Sequence, residues 1–225
     1  LDTKDKTNPA YVSAVFCALG IGIEPTYQYL FQESPSFDAF EDWILANGTI
    51  SMELVEMFNR ALLKDSQHHE LSTFKNPILD KEALKQWEKD GYVIVRNAIS
   101  KADCDATLKV ICGFLNIDLN NNSTWYKPHT SKQGIMVQLF RHEQLQKNRL
   151  SEKIQGAYKQ LWNRNDLMVN TDRVSFNPPE NEFYKFPGPD LHWDVSLKTP
   201  IPFGLQGLLY LTDTPENQGA FTLVP

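Results

Sequence analysis

The sequence predicts an α+β chain: helices first, then a mainly β core of strands and turns. Two observations carry this. Up to about residue 90 the apolar residues recur at helical spacing between capping signals, and from Asp172 onward they alternate between Pro- and Gly-rich turns. Helices followed by a run of antiparallel strands give a helix-buttressed β-sandwich or barrel. The predicted division is a helical extension over residues 1–80 and a β-rich domain over 81–225.

The elements follow in order. Asn8 and Pro9 read as an N-cap and first helical residue for the apolar stretch Ala10 to Ile23. That stretch is too short to span a bilayer, so it reads as a buried helix, with a signal-peptide core as the alternative. Ser34-Pro35 opens a helix with Phe37, Phe40, Trp43 and Ile44 on one face, ended by Gly48. Ser51 caps the next, with Leu54, Met57, Phe58 and Leu62 inward, and Asp80 opens a third that Gly91 closes. Tyr92 to Arg96 is a short β-rich run. Ser100 and Asp103 then stand in capping-box spacing before Leu108, Ile111, Cys112 and Leu115. Asn120 to Ser123 is a loop, Gly134 to Phe140 a strand, and Ser151 caps a helix carrying Ile154, Tyr158, Leu161 and Trp162. Strands are expected over Arg173–Asn177, Leu191–Leu197, Gly204–Thr212 and from Ala220 onward.

Composition narrows the function. The 225 residues are 41% hydrophobic and 22% charged, the balance of a globular protein. A net charge of -6 repels a phosphate backbone, and no basic run is interleaved with aromatics, so nucleic-acid and membrane partners are not expected. The three cysteines Cys17, Cys104 and Cys112 are too few for a disulfide framework, which fits a reducing, cytoplasmic setting.

Chemistry concentrates in Leu191-His192-Trp193-Asp194. On a strand, residues i and i+2 share a face about 7 Å apart at Cα. His192 and Asp194 can therefore reach one metal ion while Trp193 packs on the opposite face. An imidazole and a carboxylate supply two corners of a 2-His-1-carboxylate facial triad, the arrangement that leaves open positions on Fe(II) for a co-substrate and O2. Taken alone, His-x-Asp is a common chance pair; its place after the loop Phe186-Pro187-Gly188-Pro189 and before two further strands gives it weight. On the preceding strand Arg173, Ser175 and Asn177 share one face. They either line an interior, where Arg173 would pair with an acidic co-substrate, or face water. Parity also groups Gln206 and Tyr210 as pocket candidates. His68-His69-Glu70 reads as a solvated loop, His129 and His142 as weak competitors for a metal, and Ser196 lacks a nucleophile elbow.

Four stretches together resemble the phytanoyl-CoA dioxygenase-like family. They are Gly91–Ser100 (GYVIVRNAIS), Asp172–Pro179 (DRVSFNPP), Leu191–Asp194 (LHWD), and Gly207–Asp213 (GLLYLTD) leading to Asn217–Pro225 (NQGAFTLVP). The resemblance covers about residues 80–225. It implies a double-stranded β-helix (jelly roll) buttressed by helices. It further implies Fe(II) held by His192, Asp194 and a distal histidine, with 2-oxoglutarate as co-substrate and O2 as oxidant. In that family the distal histidine and a 2-oxoglutarate-gripping arginine follow the "LVP" run, so both are expected beyond residue 225, and the chain is expected to lack its closing C-terminal strands. Because Asp194 is present, the implied reaction is hydroxylation of a small-molecule substrate rather than halogenation. The alternatives are a jelly roll that binds a metabolite or partner without redox chemistry, or a non-redox metal enzyme.

Overall fold

A computed structural model describes residues 9–62, 76–188, 191–195, 197–201 and 203–224. The Asn8 cap signal, His68-His69-Glu70, Ser196 and the Leu62 side chain lie outside the described residues. The described chain forms two compact units, one from Leu1–Asn76 with Lys159–Asp172, the other from Pro77–Tyr158 with Arg173–Pro225.

The first unit is helical. α1 (Pro9–Ala18) is followed by α2 (Ile23–Glu33), α3 (Phe37–Asn47) and α4 (Met52–Leu62). The single helix expected over Ala10 to Ile23 is divided here. Gly20 and Gly22 take φ of 66° and 72°, and a side chain on Gly20 would strike the Thr49 backbone. The close approach of residue 49 requires glycine there, so α1 stops and α2 begins afresh. Ser36, rather than Ser34-Pro35, caps α3 by accepting from Ala39 N–H. Tyr29 of α2 stacks on Trp43 of α3 at 4.7 Å between ring centroids, and Tyr11 of α1 meets Phe58 of α4 edge-on.

In the second unit α5 (Lys81–Asp90) starts at an Asp80 cap and ends at Gly91 in the left-handed conformation. α6 (Lys101–Leu115) carries the predicted capping box: Ser100 Oγ accepts from Asp103 N–H and donates to the Asp103 carboxylate. Ile111 and Leu115 of α6 meet Val137, Leu139 and Leu145 in one buried cluster. α7 (Glu143–Arg149) packs on α6, and α8 (Glu152–Trp162) follows it. The sheet is small and antiparallel, in the order β1 (Lys132–Gln133), β2 (Met136–Val137), β3 (Val174–Ser175). Gly134, at φ 60°, is the first residue of the two-residue turn joining β1 to β2, where a hairpin needs positive φ.

This architecture corrects the expected fold. Helix accounts for 45% and strand for 3%, with one three-stranded sheet, so the predicted mainly β core, and with it the jelly roll or double-stranded β-helix, is not what the described chain forms. The strands expected at Tyr92–Arg96, Leu191–Leu197, Gly204–Thr212 and 220–224 form no ladder among the described residues. Alternation decides which side chains share a face, whereas a sheet also needs a second backbone within hydrogen-bonding reach. After Tyr92–Arg96 the chain is tied by side chains instead: the Arg96 and Ala98 carbonyls accept from Lys153 and Ser151 at the start of α8. Gly207 lies against the Tyr158 hydroxyl of α8, and Leu211 packs on the buried cluster. Side-chain packing, not a backbone ladder, takes the contacts of that segment. Leu191, Val195, Leu208 and Val224 are left exposed. No helix among the described residues is long and apolar enough to cross a membrane.

Candidate functional site

The approach to the site begins at β3. Val174 and Phe176 face the buried cluster, so Ser175 and Asn177 point the other way and are exposed, while Arg173 is half-buried. Past the buried Pro178, the chain folds into a cross-linked loop. Asn181 Oδ1 accepts from the Phe183 and Tyr184 amides, and the Asn181 amide donates back to the Tyr184 carbonyl. Glu180 accepts from the Phe186 amide, which, aided by Lys185, lowers its carboxyl below the ordinary range. The Tyr126 hydroxyl donates to the Pro179 carbonyl. This bracing covers residues 179–186.

His192 Nε2 and Asp194 Oδ1 meet at 2.9 Å. The segment is bent rather than a strand, so the convergence comes from a turn of the backbone and not from strand parity. Both side chains are about half accessible, at 50% and 51%, and Trp193 between them is 75% exposed where packing was expected.

The other predicted residues separate from this pair. Asn177 Oδ1 accepts from the Tyr184 hydroxyl at 3.1 Å. The Tyr210 hydroxyl accepts from the Phe221 amide at 2.7 Å, joining the 204–212 segment to the last described run. Gln206 is exposed. Among the described residues, neither Gln206 nor Tyr210 shares a hydrogen bond or ion pair with His192 or Asp194. The competing histidines serve local structure. His129 Nδ1 accepts from the Ser131 amide beside the Phe114 ring, and His142 Nδ1 caps α7 by accepting from Gln144 N–H. The three cysteines are free thiols; burial raises the pKa of Cys17 and Cys112.

The chain is similar to a phytanoyl-CoA dioxygenase-type protein. That relative, from Dictyostelium discoideum, bears the name "Putative phytanoyl-CoA dioxygenase" and is 28% identical over 106 residues. The match takes in 41% of this chain and 30% of the relative, so the chain spans under a third of the protein it matches. No family model matches the chain. No solved structure matches it either.

The donor set can be tested against a metal on the geometry itself. Adjacent ligands of an octahedral ion with bonds near ~2.1 Å lie about 3 Å apart. The 2.9 Å between Nε2 and Oδ1 is the length of a direct His–Asp hydrogen bond and also falls at that spacing, and one neutral nitrogen with one carboxylate oxygen suits a borderline ion such as Fe(II). The pair fits as two neighbouring ligands. No third His, Cys, Asp or Glu joins it among the described residues.

Sequence reasoning missed the group around Lys132, whose ammonium lies over the rings of Phe176 and Tyr184. Parity from Val137 across the hairpin would have found it, had Gly134 been read as a turn.

Proposed function

We propose that this protein is an Fe(II)- and 2-oxoglutarate-dependent dioxygenase that hydroxylates a small organic molecule. The observation that carries the reading is the convergence of His192 and Asp194 at ligand spacing. The likeness to the Dictyostelium protein, by its name a dioxygenase, supports the same class.

In this reading His192 Nε2 and Asp194 Oδ1 would hold the metal. The chemistry that such a centre supplies when loaded is O2-dependent hydroxylation coupled to decarboxylation of 2-oxoglutarate to succinate. The chain's own part is to present the two donors together. His192 would bind as the neutral imidazole and Asp194 as the carboxylate. A reducing compartment such as the cytoplasm keeps iron ferrous and the three thiols free.

The test is turnover of 2-oxoglutarate to succinate by the full-length protein with Fe(II) and O2. Asp194→Ala should abolish it. Equal turnover by that variant would remove Asp194 from the site.

A further inference from the structure

The net charge of -6 is not spread evenly along the chain. Residues 9–62, which form α1 to α4, hold seven carboxylates and one basic side chain, Arg60. The whole sequence has 28 Asp and Glu against 22 Lys and Arg, so the remainder holds 21 of each sign. All of the excess negative charge therefore lies in these four helices.

α3 presents part of that charge together with apolar surface. Phe40 and Trp43 turn inward, where they stack with Tyr29 of α2. Phe37, Glu41 and Leu45, at i, i+4 and i+8, form a separate stripe with Asp38 and Asp42 beside it. Phe37 is 71% exposed and Leu45 72%, and the three carboxylates are exposed with them. Neither α2 nor α3 contains a Lys or Arg, and no ion pair reaches the three carboxylates among the described residues.

Asp38 in the first turn suits the positive end of the helix dipole; Glu41 and Asp42 lie beyond that turn. They stand three and four residues from Asp38, the spacing at which like charges on a helix repel. A lone exposed apolar side chain is ordinary, whereas two on one stripe flanked by carboxylates form half of a charged helix pair. A second copy would set like charge against like, and anionic lipid or nucleic acid would be repelled. A helix with apolar residues two turns apart and Lys or Arg beside them covers Phe37 and Leu45 and relieves the repulsion.

We propose that the outer face of α3 docks a basic amphipathic helix of a partner protein. The surface is independent of the metal reading, and its test needs no iron. The probe is a helical peptide of about 18 residues with Leu on one face and Lys on the other. A second peptide with Glu in place of Lys is the control, and calorimetry with the full-length protein reads both. One variant combines Asp38→Asn, Glu41→Gln and Asp42→Asn; another combines Phe37→Ser and Leu45→Ser. A third combines Glu82→Gln, Glu88→Gln and Glu216→Gln, which removes the same charge from exposed positions elsewhere.

The expected result is that the Leu/Lys peptide binds the wild type, more weakly as salt rises, and that the Leu/Glu peptide does not. Both α3 variants should bind roughly tenfold more weakly or worse, and the third variant as the wild type does. All the substituted side chains are exposed, so the three variants should melt with the wild type, and the two α3 variants check one another. Absent binding by the wild type, full binding by either α3 variant, or equal weakening in the third variant would overturn the proposal. So would self-association of the wild type that Phe37→Ser with Leu45→Ser abolishes, which would give the face to a second copy.

Discussion

Asp103 is held by three side chains at once: Lys147 and Gln144 from α7, and Ser100 at its own helix start. These hydrogen bonds, that of Lys147 first, lower its carboxyl from 3.8 to about 2. A carboxylate whose pKa is lower folded than unfolded contributes stability that is complete above the unfolded value and is lost as pH falls through the folded one. Asp103→Asn should therefore destabilise the protein at neutral pH and shrink the loss of stability between about pH 4 and pH 2, read by denaturant unfolding across that range. An unchanged acid limb would contradict the assignment. Half of this arrangement is legible in sequence, because Ser100 and Asp103 stand three apart before an apolar helical run. The other half is not, since Lys147 and Gln144 reach Asp103 only once α7 packs on α6. The same limit applies to the proposed metal pair. His192 and Asp194 are visible as a spacing, while their 2.9 Å approach depends on a bend that strand parity did not anticipate.

Glycine placement governs how legible the elements are. Gly91 closes α5 in the left-handed conformation with open space around it, so Gly91→Ala should cost about 1–2 kcal/mol from backbone strain alone. Gly20→Ala should cost more, because the added carbon would lie 2.6 Å from Thr49 N. Denaturant unfolding of the two variants checks the order, and a smaller loss at Gly20 would contradict the close packing of residue 49. The stop at Gly91 is readable because a lone glycine follows a helical pattern. The break at Gly20 is not, because apolar residues continue through it at helical spacing. α7 escaped notice for another reason: its seven residues are nearly all polar, and His142 is an unusual cap. Its place is secured by a buried polar contact, Asn148 Nδ2 to Thr107 Oγ1 at 2.7 Å, which no sequence pattern announces.

Across the whole chain, local signals were read better than partnerships. Helix caps and inward faces depend on residues a few positions apart. A sheet depends on which distant backbones meet, and the alternating runs after Asp172 carry no information on that. The apolar residues of Leu191–Leu197 were expected on one packed face of a strand; in the described chain Leu191, Trp193, Val195 and Leu197 are all exposed. The proposed metal pair does not depend on that architecture, since two ligands need only converge and not share a strand. Anaerobic titration of Fe(II) into the full-length protein, with His192→Ala and Asp194→Ala alongside, tests that convergence most directly. The account predicts one ion per chain, with affinity lowered roughly 10–100-fold or more by either substitution. Fe(II) bound equally well by both variants would contradict it.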